Sequence, residues 1–458
     1  MKSLMPSSDY WVKDKNHLIH PYTDFRSFQK RGSTIFVSGK DHFIEDNQGR
    51  RYLDTMAGLW CVNIGHGNQE MAQSLAQQAS KLAYYNTFGG ASSPPAAELA
   101  HILAQYSPKP INKTFFSTGG SMANDTAIKI IHYYFNLLGK PKKKKIIVRN
   151  LGYHGSTYLS HALTGISSTH IGFDLPLHEL TVTVSAPYSY RKPKGIKESQ
   201  FCDYLIDELK EKIESVGPEN IGGLIAEPIM GAGGIIVPPK NYLLRVRAMC
   251  SQYEILYISD EVVTAFGRLG HMVASESHFG IIPDILVLAK GISSGYIPLG
   301  ATMISDSIYD VISQPKKSNP YFSHGFTYSG HPLACWSGLV NIEILQKRNL
   351  LEHVQQLHPY FLNTVKTLEK YPIVGEVRGS HFMIGIEFVK DKTTKEIFDD
   401  NIYDVSDKIY QYAKSLGVIV RPIGPMIILS PPLTFDQKSI DQLVEILSIA
   451  IDKVLMEI

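Results

Sequence analysis

From about residue 60 to residue 330 the chain alternates short apolar runs with stretches of helical periodicity. The apolar runs are Thr114-Phe115-Phe116, Ile146-Ile147-Val148, Thr181 to Val184, Leu224-Ile225-Ala226, Ile255 to Ile258, and Ile285 to Leu288. They are rich in β-branched and aromatic residues, and several lack polar alternation, which predicts strands covered on both faces. Between them lie amphipathic segments. Ala127, Ile130, Ile131 and Tyr134 follow the i, i+3, i+4, i+7 spacing of a buried helix face, in a helix predicted to begin near Met122. The alternation predicts an α/β fold: a mostly parallel open sheet with helices on both faces.

The last part of the chain follows another pattern. Phe382, Ile384, Ile386 and Phe388 alternate with smaller or polar residues, which predicts a half-exposed strand. Further strands are expected at Val418 to Val420 and Met426 to Leu429. Thr434 and Gln437 have the spacing of a capping box ahead of a helix that buries Ile440, Leu443, Val444 and Leu447. The expected organisation is a large α/β domain over residues 61–330 and a smaller α+β domain over 331–458. Residues 1–60 are expected to pack with the smaller domain or to cross to a partner chain.

Composition narrows the class. The chain has 458 residues, 44% hydrophobic and 19% charged, with a formal net charge of +2. These are the values of an ordinary soluble protein, and no large field points to nucleic acid or a membrane. The basic run Lys142 to Lys145 precedes Ile146-Ile147-Val148 and reads as a solvated loop leading into a strand. Cys61, Cys202, Cys250 and Cys335 have neither C-x-x-C nor metal-ligand spacing, so reduced thiols in a cytoplasm are expected. Met1 to Leu18 contains no apolar h-region, and no window of roughly 18 or more apolar residues occurs.

Ligands of open α/β sheets bind beyond the carboxyl ends of the strands. The run Ile255 to Ile258 leads into Ser259-Asp260-Glu261, and Ile285 to Leu288 leads into Ala289-Lys290-Gly291. A lysine held between an apolar strand and a glycine is desolvated, which favours the neutral, nucleophilic amine. Pyridoxal 5′-phosphate needs such a lysine, with which it forms an imine, and a carboxylate to keep its ring nitrogen protonated. Taken alone, the spacing also fits an Asp260 that caps a helix and a Lys290 exposed beyond a strand. After Thr114-Phe115-Phe116 comes Ser117-Thr118-Gly119-Gly120-Ser121, then the helix. Glycines there let the backbone approach a phosphate, and the helix start offers it free N–H groups. A simple tight turn fits equally. Tyr153-His154-Gly155 follows another strand, where an aromatic ring can lie against a cofactor.

In order and spacing the chain resembles the class III aminotransferases, a branch of the fold type I pyridoxal-phosphate enzymes. The resemblance is carried by Met56-Ala57-Gly58-Leu59-Trp60, Tyr84-Tyr85-Asn86-Thr87-Phe88, Tyr153-His154-Gly155-Ser156-Thr157, Ala226-Glu227-Pro228, Asp260-Glu261-Val262, Ala289-Lys290-Gly291, Phe326-Thr327-Tyr328-Ser329-Gly330-His331-Pro332 and Arg421-Pro422. It implies that Lys290 binds the cofactor covalently and that Asp260 pairs with its ring nitrogen. It places Val262 and Tyr153 on the two ring faces, Gly120 and Ser121 on the phosphate, and Glu227 nearby. Thr327 is implied to reach the phosphate from the second subunit of a homodimer with shared active sites.

Within the class, the chain is most similar to the ω-amino acid, diamine and taurine transaminases that use pyruvate. That likeness implies a pocket walled by Trp60, Tyr153, Tyr22 and, from the neighbouring chain, Phe88. It implies that Arg421 clamps a substrate carboxylate, a task its planar fork suits. The expected partners are a small-molecule amine donor and a keto-acid acceptor. Three positions depart from the family pattern: Met122 stands where Glu is usual, Gly119 where Ser is frequent, and His381 where Gly is common. Class III enzymes of biotin-pathway, acetylornithine or 4-aminobutyrate type share the cofactor residues, as does a semialdehyde aminomutase. A non-catalytic protein of the same fold is the reading from another class.

Overall fold

The computed structural model describes residues 10–315, 321–399 and 404–458. Residues 1–9 of the Met1 to Leu18 segment therefore lie outside the described residues. Three strands, β1 (Phe36–Lys40), β2 (Phe43–Asp46) and β3 (Arg51–Asp54), form an antiparallel meander. Seven more build the central sheet: β4 (Ile111–Ser117), β5 (Lys145–Arg149), β6 (Thr181–Val184), β7 (Ile221–Ala226), β8 (Leu256–Asp260), β9 (Ile285–Leu288) and β10 (Gly300–Ser305). Their spatial order is β4-β10-β9-β8-β7-β5-β6. All are parallel except β10, which runs antiparallel between β4 and β9.

The missing polar alternation now has its cause. Ile147, Leu224 and Tyr257 pack on the helices Glu198–Val216 and Tyr242–Gln252. Ile146, Ile225 and Ile258 point the other way, onto helix Gly120–Leu137. Each such side chain contributes about 1.5–3 kcal/mol when fully buried. That helix begins two residues before the expected Met122. The strand that carries Asp260 reaches Asp260 itself rather than ending at Ile258.

The remaining strands are β11 (Val374–Ser380), β12 (Met383–Phe388), β13 (Val418–Ile419), β14 (Arg421–Ile423) and β15 (Met426–Leu429). β13 extends the N-terminal meander through a parallel pairing with β3, and the other four form an antiparallel sheet ordered β11-β12-β15-β14. Phe382, Ile384, Ile386 and Phe388 join the core made with helices Leu350–Lys366 and Gln437–Leu455. The prediction of a half-exposed strand is wrong, because β12 is buried along its whole length. On its second face Met383 packs with Ile235 and Trp60. Glu387, on that same face, accepts from Arg378 Nη1 at 2.6 Å and Arg191 Nε at 2.7 Å.

Two further expectations are corrected. The final helix is capped by Asp436, whose side chain accepts from Ser439 N at 2.8 Å, and not by Thr434. The lysine run is not simply solvated. Lys143 is buried, and its Nζ donates to the carbonyls of Pro218, Ile221, Tyr253 and Glu254 at 2.9–3.3 Å. Four converging strand- and helix-end carbonyls make this site attractive enough to hold a buried ammonium. Among the described residues no helix is long and apolar enough to cross a membrane.

Candidate active site

Asp260 ends β8, deep in the protein. Its Oδ2 accepts from Asn124 Nδ2 at 2.9 Å and His154 Nδ1 at 2.8 Å, and its Oδ1 accepts from Val262 N at 3.2 Å. These donors fix the carboxylate while offering it no full positive charge from Lys or Arg. Lys290 follows β9, the neighbouring strand. Burial pushes its ammonium pKa down, against the nearby Asp260, Cys61 and Glu227, so the neutral amine is favoured. Its Nζ lies 5.3 Å from the centre of the Trp60 ring.

Glu227, just past β7, accepts from Tyr153 N at 3.0 Å and Gly231 N at 2.7 Å. Burial raises its pKa, with Asp260 adding to the rise. Tyr153 is pushed up to about 12 by burial. Its hydroxyl shares contacts with Ser156 Oγ at 2.9 Å and Tyr22 OH at 3.3 Å. Trp60 is buried against Gly231, where any side chain would strike the indole. Arg421, at the start of β14, sits 6.0 Å from the same ring. Its Nε is buried without a partner, and burial lowers its pKa against the pull of Tyr153 and Tyr22.

The Gly119-Gly120-Ser121 turn opens helix Gly120–Leu137, whose N-cap makes no side-chain hydrogen bond. A Cβ on Gly120 would meet the Val262 methyls at 3.0 Å. Ser121 Oγ accepts from Ser156 N at 3.0 Å. Met122, the departure from Glu, accepts through sulfur from Thr118 Oγ1 at 2.8 Å. A pyridoxal phosphate fits this donor set: an anchored buried carboxylate, a desolvated lysine, and an uncapped helix start whose N–H groups suit a phosphate.

The structure thus gathers Lys290, Asp260, Glu227, Val262, Gly120, Ser121, Tyr153, Tyr22, Trp60 and Arg421. Phe88 and Thr327 lie elsewhere, beside each other. Tyr84 OH donates to Thr327 O at 2.6 Å, and a Cβ on Gly325 would meet the Phe88 ring at 2.8 Å. Both Phe88 and Thr327 are exposed. The sequence reading missed Asn124 and the part of His154 in holding Asp260. The available signal was a polar residue, Asn124, on the apolar face that Ala127 and Ile128 continue. It also missed Ser156, which links Tyr153, Tyr22 and Ser121.

A model of the aminotransferase class-III family matches residues 28–451. The putrescine–pyruvate aminotransferase of Pseudomonas aeruginosa is 38% identical over 446 residues, covering 97% of this chain and 96% of its own. The mitochondrial gamma-aminobutyrate transaminase 1 of Oryza sativa subsp. indica is 40% identical over 413 residues, covering 90% and 80%. Among solved structures, the omega transaminase from Pseudomonas jessenii in complex with PMP matches with a TM-score of 0.94 at 38% identity. It covers 97% of this chain and 98% of that one.

Proposed function

The chain belongs to the class III aminotransferases, which work with pyridoxal 5′-phosphate, and from that premise we propose that it moves the amino group of a primary amine or ω-amino acid to pyruvate. The observation that carries this reading is the pairing of a desolvated Lys290 with an Asp260 held by three donors. When bound, the cofactor supplies an electron sink for the donor carbon as it loses its proton.

The residues have these roles. Lys290 would hold the cofactor covalently, and its free amine would carry the proton on Nζ as general base and acid. Asp260 would keep the ring nitrogen protonated. Val262 and Tyr153 would face the ring, Gly120 and Ser121 would bind the phosphate, and Glu227 fixes the Tyr153 backbone. Trp60, Tyr153 and Tyr22 wall the donor site, and Arg421 takes the carboxylate of pyruvate or of an ω-amino acid.

We assign the working form to a homodimer in which Phe88 and Thr327 serve the partner's site. Their exposure beside Tyr85 and Tyr328, both also exposed, supports that assignment. Four free cysteines support a reducing compartment, the cytoplasm. A 4-aminobutyrate transaminase is the second reading, favoured by the likeness to the rice enzyme.

The test is the visible spectrum of the protein with pyridoxal phosphate as amines are added singly. Bleaching by putrescine or β-alanine and recovery with pyruvate supports the proposal. Bleaching by 4-aminobutyrate alone supports the second reading. A cofactor band that no amine bleaches overturns both.

A further inference from the structure

Lys290 adopts φ +48°, a left-handed conformation that a residue with a side chain takes up only when its surroundings impose it. The strain sits on the residue whose amine must be placed most accurately. Two buried asparagines grip the turn that follows. Asn63 lies against Gly291, where a Cβ would come within 2.5 Å of its Nδ2. Asn63 Nδ2 donates to Phe266 O at 2.7 Å, and its Oδ1 accepts from Arg268 Nη2 at 2.8 Å.

Asn341 holds the other side. It is fully buried on helix Pro332–Lys347. Its Nδ2 donates to Gly291 O at 2.8 Å and to Ile292 O at 3.1 Å. Its Oδ1 accepts from Ser294 Oγ at 2.5 Å, and that hydroxyl oxygen accepts from Ile64 N at 3.2 Å. Only one amide orientation fits, because two carbonyls can only accept. No sequence pattern marked Asn341, and it touches none of the groups assigned to cofactor or substrate.

We infer that Asn341 is a positioning residue: by capturing the two carbonyls after Lys290 it keeps the left-handed turn and fixes where Nζ sits relative to Asp260 and Trp60. Leucine at this place would take the amide donor from both carbonyls, leaving Gly291 O to the longer backbone bond from Ser294 N at 3.3 Å, and aspartate would set an acceptor against acceptors. The inference rests on the reading of Lys290 as the cofactor-binding, proton-carrying lysine.

The experiment compares Asn341→Asp, Asn341→Leu and Ser294→Ala with Val340→Ala. Val340 is a buried neighbour on the same helix that packs in the general core, so its truncation supplies a purely structural loss. Three quantities are measured on cofactor-loaded protein: the melting temperature, the pH midpoint of the visible cofactor band, and kcat with KM for the donor. The Asn341 variants should move the band midpoint by about one unit and lower kcat roughly tenfold to a hundredfold. KM should stay within about threefold, as for a misplaced reacting group. Ser294→Ala, which frees the amide to turn, should shift both in the same direction by less, and it serves where an Asn341 variant does not fold. Val340→Ala should lower the melting temperature and leave band and kcat as they are. Wild-type band midpoint and kcat in folded Asn341 and Ser294 variants overturn the inference. So does an equal effect from Val340→Ala. A wild-type band that survives Lys290→Ala overturns the functional reading itself, and this inference with it.

Discussion

Acid should weaken the packing around a cluster of four histidines, and His381 should carry the largest single share. His271 and His278, from the stretch between β8 and β9, meet His358 on helix Leu350–Lys366 and His381 between β11 and β12. The His358 and His381 rings stack at 4.2 Å, and His278 lies 5.2 Å and His271 6.4 Å from His381. Burial pushes His381 down to about 3, and the other three histidines push it the same way. Burial lowers His271, His278 and His358 as well, and no carboxylate contributes to any of the four shifts. The sign follows from the depressed pKa. Above about pH 6.5 the histidine is neutral in both states and has no effect. As pH falls through 6.5 the unfolded chain takes up a proton that the folded one refuses, so stability is lost until the folded group titrates near 3. At pH 5, about 1.5 units below the unfolded pKa at about 1.4 kcal/mol per unit, His381 alone costs about 2 kcal/mol. His381→Gly removes that cost and suits the backbone, since residue 381 has φ +51°. Its packing loss applies equally at both pH values. Urea unfolding of wild type and variant, at pH 7.5 and pH 5.0, isolates the effect. On acidification the difference between them should move by about 2 kcal/mol in favour of the variant. An unchanged difference refutes the account.

Three other outcomes follow from single contacts. Asp260→Asn should keep the cofactor attached yet lower kcat about 10²–10³-fold, the scale of losing one preorganised electrostatic partner, as read by single-turnover absorbance. Arg421→Ala should raise KM for pyruvate about 10–100-fold, in line with about 1.5–3 kcal/mol for charged hydrogen bonds, while the first half-reaction with a diamine stays within about threefold. Lys143→Met should lower unfolding free energy by about 1.5–3 kcal/mol with unchanged kcat, because it strips an ammonium from four carbonyls far from Lys290.

The parallel strands were legible because burial on both faces leaves an unbroken apolar run, as at Ile146-Ile147-Val148. β10 was not. Its sequence, Gly-Ala-Thr-Met-Ile-Ser, mixes small and polar residues that are all buried. Thr302 is tolerated there because its hydroxyl donates to Ala123 O at 2.7 Å, a long-range bond with no local trace in the sequence. The same reason explains β12. Its alternating Phe and Ile signal one core, while Glu387 on the other face reads as exposed until Arg378 and Arg191 are brought to it. Lys290 and Asp260 were visible because each follows an apolar strand. Asn63 and Asn341 were not, because a buried asparagine differs from an exposed one only in partners that the fold supplies; Asn124 left only the trace of a polar residue on an apolar helix face.

On the proposed reading, Arg421 is what connects this architecture to a choice of substrate. Among the described residues it makes no ion pair, and the groups that favour its charge are the phenols of Tyr153 and Tyr22. A phenol is neutral at physiological pH, and burial raises that of Tyr153 further, so the guanidinium is half-buried without an anion. Such a charge gains more from a ligand carboxylate than a paired arginine does, since no existing salt bridge must be broken. The same charge repels a diamine, whose far end is an ammonium. Trp60 lies next to both basic side chains, with Lys290 Nζ at 5.3 Å and Arg421 at 6.0 Å from its ring centre. Its π face eases a cation nearby, though by only about 0.5–2 kcal/mol. An enzyme that takes a diamine and then pyruvate at one site therefore needs Arg421 to approach for the acid and withdraw for the amine. If Arg421 instead stayed fixed, raising the salt concentration would improve KM for putrescine by screening the repulsion. With a mobile Arg421, KM for putrescine should be nearly independent of salt while KM for pyruvate rises with it.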